Sequence, residues 1–379
     1  MTLQITRLPS FASAHPGWDH LLQADAKASY FVRPEWLETW WKHFSQGKEL
    51  LLVLAQESDR PAALALLQIE SLGSVWGKRI AFLGSGLSDY GDVLVDETLV
   101  ERPVAIKAIL DALASWYPNL LFDFEQIPET SPTLRIMSDW TRTRAIPCSV
   151  LPQDVCPVAD LPDTPEAYHQ QLKKSFFLDV KRGERRLRER GEVVLIDHVR
   201  PADGDWAGLV AELAALQAQR MLTKGESPAW DGPLGPFVRD VLAASDLQGS
   251  LRLTGLQFAG RLVAYELCFL HNRTIYAWSR AFDETLRNTG PGKISLLHLI
   301  DQGIGEGYQR FDLLRGEEPY KALWTNAVVH NYRVTFLVKP SLRAWLRFKY
   351  ITAWKRQLQE MALVRKAYAA VKGLRSRRG

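Results

Sequence analysis

Apolar residues along this chain recur with two different periods, which predicts an alternation of strands and helices. Aromatic side chains between residues 34 and 44 fall at i, i+4, i+5 and i+8, the spacing of one helical face. Short apolar runs on either side of turns at 58–61 and 259–261 predict two β-hairpins. Further helices are predicted over 101–116, 170–190, 206–222 and 318–324. The pattern therefore indicates an α/β protein with a mixed sheet.

The predicted elements occur twice in the same order: hairpin, strand, loop, helix and strand. The last strand of each set contains a Phe-Asp pair, Phe122-Asp123 in the first half and Phe311-Asp312 in the second. We interpret the shared order as a duplication, although two unrelated α/β units could also share it. Five prolines between residues 147 and 165 predict a linker. The predicted division is a first lobe over 1–146, a linker over 147–165, a second lobe over 166–340 and a C-terminal helix over 341–379.

A glycine-rich turn lies between a predicted strand and a predicted helix of the second half. In Arg287-Asn-Thr-Gly-Pro-Gly-Lys-Ile294, Gly290 and Gly292 allow a ligand to approach the backbone because they lack a Cβ atom. Unpaired amide groups and the helix dipole make such a helix start favourable for a phosphate. A Gly-Pro-Gly turn without a ligand is the alternative interpretation.

Two motifs carry a family resemblance. The spacing Arg287-x-x-Gly290-x-Gly292 resembles the pyrophosphate loop of the GNAT acyltransferases. The stretch Phe311-Asp-x-x-x-Gly-x-Glu-x-Tyr-Lys-x-x-Trp324 resembles the CelD-like acetyltransferases of cellulose and exopolysaccharide production, relatives of the Fem-type transferases. The resemblance implies a tandem GNAT-like fold with two lobes and acyl-CoA, such as acetyl-CoA, as the donor substrate. The residues that it assigns to the cofactor are Arg287, Thr289, Gly290, Gly292, Lys293 and Ile294.

The corresponding loop of the first half, Gly84–Asp92, differs from this motif in two ways. Its glycines follow the strand instead of starting the helix, and Asp89 and Asp92 would repel a phosphate. We infer that the first half has lost nucleotide binding and serves packing or the shape of the substrate site.

The resemblance also implies a reaction in which an amine or hydroxyl attacks a thioester directly. A main-chain N–H of the strand 274–279 is expected to polarise the carbonyl group, and Tyr320 to protonate the leaving thiolate. A core tyrosine with a satisfied hydroxyl is the alternative for Tyr320. Glu266 interrupts an apolar strand, so it is either the general base or an outward-facing edge residue.

Two further residues of the longer motif are candidates. Asp312 lies on a strand that is predicted to be buried, so a structural role that holds the turn at Gly316 is favoured over acid–base work. Lys321 is a candidate contact for the diphosphate or for a developing oxyanion, with a solvated helix lysine as the alternative. Leu314-Arg315 departs from the phenylalanine-rich strand end that the family suggests, which weakens the inference about the acceptor.

Charge is unevenly distributed along the 379 residues. The formal net charge is +4, but residues 341–379 alone contain eleven Lys or Arg and one Glu, interleaved with aromatic residues. This segment is predicted to be an amphipathic helix that packs on the body or lies on an anionic membrane surface. No secretory signal and no membrane-spanning apolar run is evident, so we expect a cytoplasmic protein with peripheral contact at the inner face of the membrane. Three cysteines and eight histidines lack ligand spacing, which predicts reduced thiols and no metal site.

Three functions are compatible with these features. The favoured one is an acyl-CoA-dependent acyltransferase that modifies a small-molecule or glycan acceptor in surface-polysaccharide biosynthesis. The second is a Fem-like aminoacyl-tRNA-dependent transferase, although nucleic acid is not the favoured partner. The third is a non-catalytic scaffold of a polysaccharide synthase complex. The basic helix ending at Arg190 is expected to be a solvated face, or else a docking surface for the CoA 3′-phosphate or an anionic acceptor.

Overall fold

The computed structural model describes residues 3–73, 77–223, 230, 232–339 and 342–349. Its strands are β1 Gln4–Leu8, β2 Lys48–Glu57, β3 Arg60–Ser71, β4 Lys78–Phe82, β5 Leu94–Val95, β6 Leu121–Pro128, β7 Cys148–Asp160, β8 Val193–Ile196, β9 Leu251–Phe258, β10 Arg261–His271, β11 Thr274–Phe282, β12 Arg310–Asp312 and β13 Ala327–Leu337. Its α-helices are α1 Phe11–Ala24, α2 Pro34–Phe44, α3 Arg102–Trp116, α4 Pro132–Thr143, α5 Pro165–Gln171, α6 Lys174–Arg190, α7 Trp206–Thr223, α8 Leu234–Leu247, α9 Pro291–Gly305 and α10 Leu342–Lys349. Short 3₁₀ helices lie at Tyr30–Val32, Ala202–Gly204, Glu284–Thr289 and Lys321–Leu323.

The strands form one mixed sheet whose order is nearly symmetric about its centre. The order is β1-β2-β3-β4-β6-β13-β7-β12-β11-β10-β9-β8, and β5 pairs with β3. Each half contains one parallel pair, β4 with β6 and β11 with β12. In these pairs Phe122 lies opposite Ile80, and Phe311 lies opposite Ile275. The predicted mixed α/β fold and the repeated order of elements are therefore confirmed, and the two Phe-Asp pairs occupy equivalent positions.

The two halves exchange their final strands. β7 follows the first half in sequence but pairs with β12 of the second half, whereas β13 pairs with β6 of the first half. Residues 148–160 therefore form a long strand, and our prediction of an irregular linker there was wrong. Pro152 is tolerated in this strand because it lies beside a β-bulge, at the register shift opposite Asn331 and Tyr332.

Helices cover both faces of the sheet and bury three large apolar clusters. One cluster combines α1 and α2 of the first half with α7 and α8 of the second. A second lies under α3 and α4, and a third under α5, α6 and α9. The helices on the second half place the glycine-rich turn at the start of α9, as the sequence predicted. Among the described residues, no helix combines the length and the apolar character that crossing a membrane requires.

Other local predictions differ from the structure in detail. The basic helix predicted over 170–190 is divided into α5 and α6, because the buried Leu172 takes an extended conformation between them. The helix predicted over 318–324 is a single 3₁₀ turn. Of the segment 341–379, predicted to be a C-terminal helix, the structure describes α10, and residues 350–379 lie outside the described residues.

A buried ionic cluster joins the first half to the exchanged strand β13. Asp123 of β6 accepts hydrogen bonds from Arg79 Nη1 at 2.7 Å and from Arg333 Nε at 2.6 Å. Burial alone would raise the pKa of Asp123, but the hydrogen bonds and charges of Arg333 and Arg79 outweigh it and hold that pKa below its ordinary value.

We predict that Asp123→Asn lowers the free energy of unfolding at pH 7 by about 3 kcal/mol, because it removes the anion that two buried arginines share. The folded-state pKa is depressed, so this contribution is present above the ordinary Asp pKa of about 3.9 and is lost as the pH falls through the folded value. Denaturant unfolding at pH 7 and pH 3 measures it. Asp139→Asn, at an accessible carboxylate on α4, is the control, and equal effects of both variants would contradict the prediction.

Candidate active site

The sheet opens at its centre because β11 and β12 separate after three residue pairs, the last of which contains Tyr276. The chain beyond β12 follows β7 instead. The amides of Leu313 and Gly316 donate to the carbonyls of Pro157 and Val155, at 3.0 and 2.9 Å. Within the described chain, the edge of β11 past Tyr276 has no strand partner, so it lines the opening.

A β-bulge at Trp278 helps to hold this edge of β11 away from β12. The register between β10 and β11 shifts at this residue, and such bulges bend a strand. The Trp278 ring packs against Trp36 of α2 and Phe269 of β10, with ring centroids 5.7 and 5.8 Å apart. The aromatic helix predicted in the first half thus supports the opening in the second half.

Two cavities, each of about 390 Å³, occupy the opening. Cavity A lies at the start of α9 and is lined by Gly290 and Gly292. Its basic lining residues are Arg220, Arg280, Arg287 and Lys293, and Glu284 is its acidic lining residue. Cavity B lies along β11 and is lined by Ala277–Arg280 together with the loop after β12. Arg220, Arg280 and Tyr320 line both cavities, so the cavities adjoin at these three side chains.

The turn that starts α9 has the conformation for which its glycine is needed. Gly290 has φ 66°, in the left-handed region, and Pro291 is the first helical residue. The amides of Lys293 and Ile294 donate to the Gly290 carbonyl at 2.9 and 3.1 Å, so fewer amides are open to a ligand than the sequence suggested. A Cβ atom at Gly292 would lie 2.9 Å from the Phe282 ring, which shows how closely this turn packs.

The structure brings four of the six predicted cofactor residues to cavity A, namely Arg287, Gly290, Gly292 and Lys293. The other two side chains point inward. The Thr289 hydroxyl donates to the Leu286 carbonyl at 2.7 Å, and Ile294 is buried in the apolar cluster under α9. Thr289 and Ile294 therefore shape the turn without lining the cavity.

Arg280 connects the turn, a buried carboxylate and Tyr320. Its Nη2 atom donates to the Gly292 carbonyl at 2.6 Å and lies 2.9 Å from Glu266 Oε1. Its guanidinium carbon is 5.0 Å from the centre of the Tyr320 ring, within the range of a cation–π contact. Sequence analysis missed Arg280. The sequence did contain a hint. Glu266 and Arg280 lie on consecutive strands, and an antiparallel pairing of those strands can place the two side chains opposite each other.

Glu266 lies behind Arg280 and not on the wall of either cavity. It is 1% exposed and stands directly across from Arg280 on the neighbouring strand. Burial raises the pKa of Glu266 to about 7, against the opposing charges of Arg280 and Arg220. Among the described residues, neither carboxylate oxygen has a well-directed hydrogen bond, so the 2.9 Å contact is an ion pair. This placement favours a role in holding Arg280 over proton abstraction from an acceptor.

Asp312 and Lys321 hold the loop after β12. Asp312 accepts from the Tyr90 hydroxyl at 2.7 Å and from the Leu314 amide at 2.8 Å, and Leu314 has φ 55°. The turn that Asp312 holds is thus at Leu314, two residues before the predicted one. Burial raises the pKa of Asp312 to about 6.

Lys321 Nζ donates to the carbonyls of Leu314 and Arg315 at 3.1 and 2.7 Å and lines cavity B.

The loop Gly84–Asp92 of the first half forms part of the wall of cavity B. Leu87 and Asp89 line the cavity, and Arg315 pairs with Asp89 and donates to the Leu87 carbonyl. Burial raises the pKa of Asp89, while the charge of Arg315 opposes that rise. This contact agrees with the interpretation that the first half shapes the site of the second.

Residues 174–322 match the acetyltransferase (GNAT) domain family. The matched residues lie within the predicted second lobe. Enzymes with this domain transfer acyl groups from acyl-CoA, so the chain is a GNAT-type acyltransferase. No curated protein matches the chain. In the described residues of the GNAT domain and the first lobe, no three His, Cys, Asp or Glu side chains are grouped as metal ligands.

Several solved structures share the fold over most of the chain. FemX matches with a TM-score of 0.64 and 9% identity, over 88% of this chain and 98% of FemX. A protein of unknown function from Bacteroides thetaiotaomicron matches with a TM-score of 0.54 and 12% identity, over 88% and 100%. The C-terminal domain of a proposed lysylphosphatidylglycerol synthetase from Agrobacterium fabrum matches with a TM-score of 0.53 and 12% identity, over 86% and 92%. At these identities the similarity establishes the fold alone.

We predict that Glu266→Gln removes a pH-dependent part of the stability. Because the pKa of Glu266 is raised in the folded state, its contribution is complete below the ordinary Glu pKa and is lost as the pH rises through about 7. From pH 4.5 to pH 8 the wild type should therefore lose about 3 kcal/mol more unfolding free energy than the variant. Denaturant titrations at both pH values measure this. Glu101→Gln, at an exposed carboxylate before α3, should leave the wild-type slope intact, and an unchanged slope in Glu266→Gln would contradict the assignment.

Proposed function

We propose that the protein transfers an acyl group from acyl-CoA to an amine or hydroxyl of a glycan or small-molecule acceptor. The observation that carries this proposal is the junction of cavity A with cavity B at Arg280 and Tyr320. Cavity A combines the start of α9 with an excess of basic residues, which suits a diphosphate. Cavity B offers a second approach to the same junction, which suits an acceptor.

The donor is proposed to lie along the open edge of β11. Its diphosphate occupies the part of cavity A away from Tyr320, beside Gly290 and Arg287. Its pantetheine arm follows the edge of β11, where a main-chain N–H donates to the thioester carbonyl and stabilises the developing oxyanion. Glu266 serves as a positioning residue, because its carboxylate fixes the side chain of Arg280.

Attack by the acceptor forms a bond from its nitrogen or oxygen to the carbonyl carbon. Collapse of the tetrahedral intermediate then breaks the carbon–sulfur bond, and we assign protonation of the leaving thiolate to the Tyr320 hydroxyl. The acceptor must also lose a proton. Asp89 and Glu318 are the carboxylates on the wall of cavity B, so we assign the general base to one of these two in place of Glu266.

The acceptor class follows from the lining of cavity B and from the sequence motif. Besides these carboxylates, cavity B presents Gln217, Ser279 and Lys321, a polar set that can hydrogen-bond to a sugar. The resemblance of residues 311–324 to CelD-like acetyltransferases supports a glycan of surface-polysaccharide biosynthesis as the acceptor.

A Fem-like transfer from aminoacyl-tRNA is the second candidate. The similarity to FemX across the sheet and the exposed basic residues of α6 favour it. It requires tRNA binding that weakens steeply with salt, and a tRNA gel shift at two salt concentrations would separate it from acyl-CoA dependence.

We also propose a peripheral membrane contact through the C-terminal segment. On α10, Leu342, Trp345 and Leu346 are exposed, while Phe348 packs beside β13. The eleven basic residues of 341–379 would add attraction to anionic lipid. Most of this segment lies outside the described residues.

We predict that acetyl-CoA binds the wild type with measurable heat in calorimetry, and that Gly292→Trp abolishes the binding. The indole would fill cavity A beside Phe282 and displace the diphosphate. Gly305→Trp is the matched control because Gly305 lies at the other end of α9, with open space around it. Absence of heat with the wild type, or loss of binding in both variants, would contradict the proposal.

We predict that Tyr320→Phe lowers kcat by about 10²-fold while leaving the KM for acyl-CoA nearly unchanged, because only the proton donor is lost. Steady-state kinetics with acetyl-CoA and a CoA-thiol detection reagent measure both constants. Tyr308→Phe is the control, since Tyr308 packs under α9 and lines neither cavity. An unaltered kcat in Tyr320→Phe would assign Tyr320 to packing.

A further inference from the structure

Helix α6 lies along the outer rim of cavity A and is held there by a close backbone contact. Gly183 sits on its buried face, where any Cβ atom would collide with the carbonyl oxygen of Thr289 in the turn before α9. Phe176, nearer the start of α6, lines cavity A directly. The side chains that flank Gly183 on α6 are therefore placed beside the glycine-rich turn.

Two of these flanking side chains are arginines whose charges are not paired. Arg182 and Arg186 are one helical turn apart and exposed. In the described part of the chain neither forms an ion pair, whereas Arg185 and Arg188 pair with Glu189 and Glu184 along the helix.

One of the two arginines contacts the turn before α9. Arg186 Nη1 lies 3.5 Å from the Asn288 carbonyl, directly before Thr289. Both also act on Asp179, whose pKa is lowered first by Lys293 and then by Arg186 and Arg182. Lys293 lines cavity A, and its Nζ atom is 2.8 Å from Asp179. Arg182, Arg186 and Lys293, together with the Asp179 carboxylate that Lys293 contacts, form one group of net positive charge near the rim, and we name its three cations the rim cluster.

We propose that the rim cluster binds a phosphate group outside the diphosphate, namely the 3′-phosphate on the ribose of CoA. This inference rests on the proposed function, because it assumes that the diphosphate occupies cavity A. A donor seated in that way directs its nucleotide end out of the cavity, past α6. A monophosphate there carries nearly two negative charges, and two arginines one turn apart can both hydrogen-bond to its oxygens. The cluster would make the protein selective for CoA over donors that lack this phosphate.

The test compares CoA with 3′-dephospho-CoA on the full chain, by calorimetry at a fixed salt concentration. The wild type is expected to bind CoA about tenfold more tightly than dephospho-CoA. This ratio of dissociation constants is what two solvent-accessible charge contacts can produce. The double variant Arg182→Gln/Arg186→Gln should bind dephospho-CoA as the wild type does but lose the preference for CoA. Arg188→Gln is the matched control, because that arginine pairs with Glu184 and donates to the Val193 carbonyl on another side of the helix.

Each outcome decides the proposal. Loss of the preference in the double variant alone supports it, whereas a retained preference, or equal weakening of both ligands, overturns it. A double variant that retains the preference but loses binding to total tRNA would assign the arginines to a polynucleotide and also overturn it. If the wild type binds neither ligand, the proposed acyl-CoA function fails, and that result is distinct from failure of the rim cluster alone.

Discussion

The separation of β11 from β12 is the feature on which the site depends. A continuous sheet would satisfy the main-chain groups of both strands and leave no room for a ligand. Here the chain after β12 hydrogen-bonds to β7, while β11 stays with β10. The opening therefore exists because β7, a strand that follows the first half, is inserted beside β12. The exchange of strands between the halves therefore creates the space in which the site lies.

Arg280 links the two sides of the opening. Its guanidinium contacts the Gly292 carbonyl, faces the Tyr320 ring and is anchored from behind by Glu266. A buried cation costs solvation free energy unless an anion and hydrogen bonds compensate for it, and here both are present. The charge is thereby fixed at the junction of two cavities before any ligand arrives, which is the arrangement that electrostatic stabilisation of a reaction requires.

Sequence reasoning was accurate where the signal is local. The Gly290-Pro291 helix start, the two hairpins and the aromatic helix at Trp36 each depend on neighbouring residues, and each is present. It failed where the determinant is a distant pairing. The prolines of 147–165 suggested a linker, because nothing local indicates that β12 and β13 will flank that segment.

In the candidate site, too, residues with a local sequence signal were predicted and residues placed by distant contacts were not. Tyr320 and the glycines were identified from motif spacing, but the partner of Glu266 depends on the register between β10 and β11. Asp89 reaches cavity B only because the first half packs against the loop after β12. A single sequence does not specify those contacts, so Arg280 was missed, and Asp89 was placed in a loop that serves packing or the shape of the site without a role of its own.

The most direct test of this account is a crystal structure of the protein with CoA. The account predicts the diphosphate in cavity A, with its oxygens about 3 Å from the Gly292 amide or the Arg287 guanidinium, and the thiol beside the Tyr320 hydroxyl at the entrance to cavity B. CoA bound elsewhere on the chain, or with its thiol directed away from β11, would contradict the account.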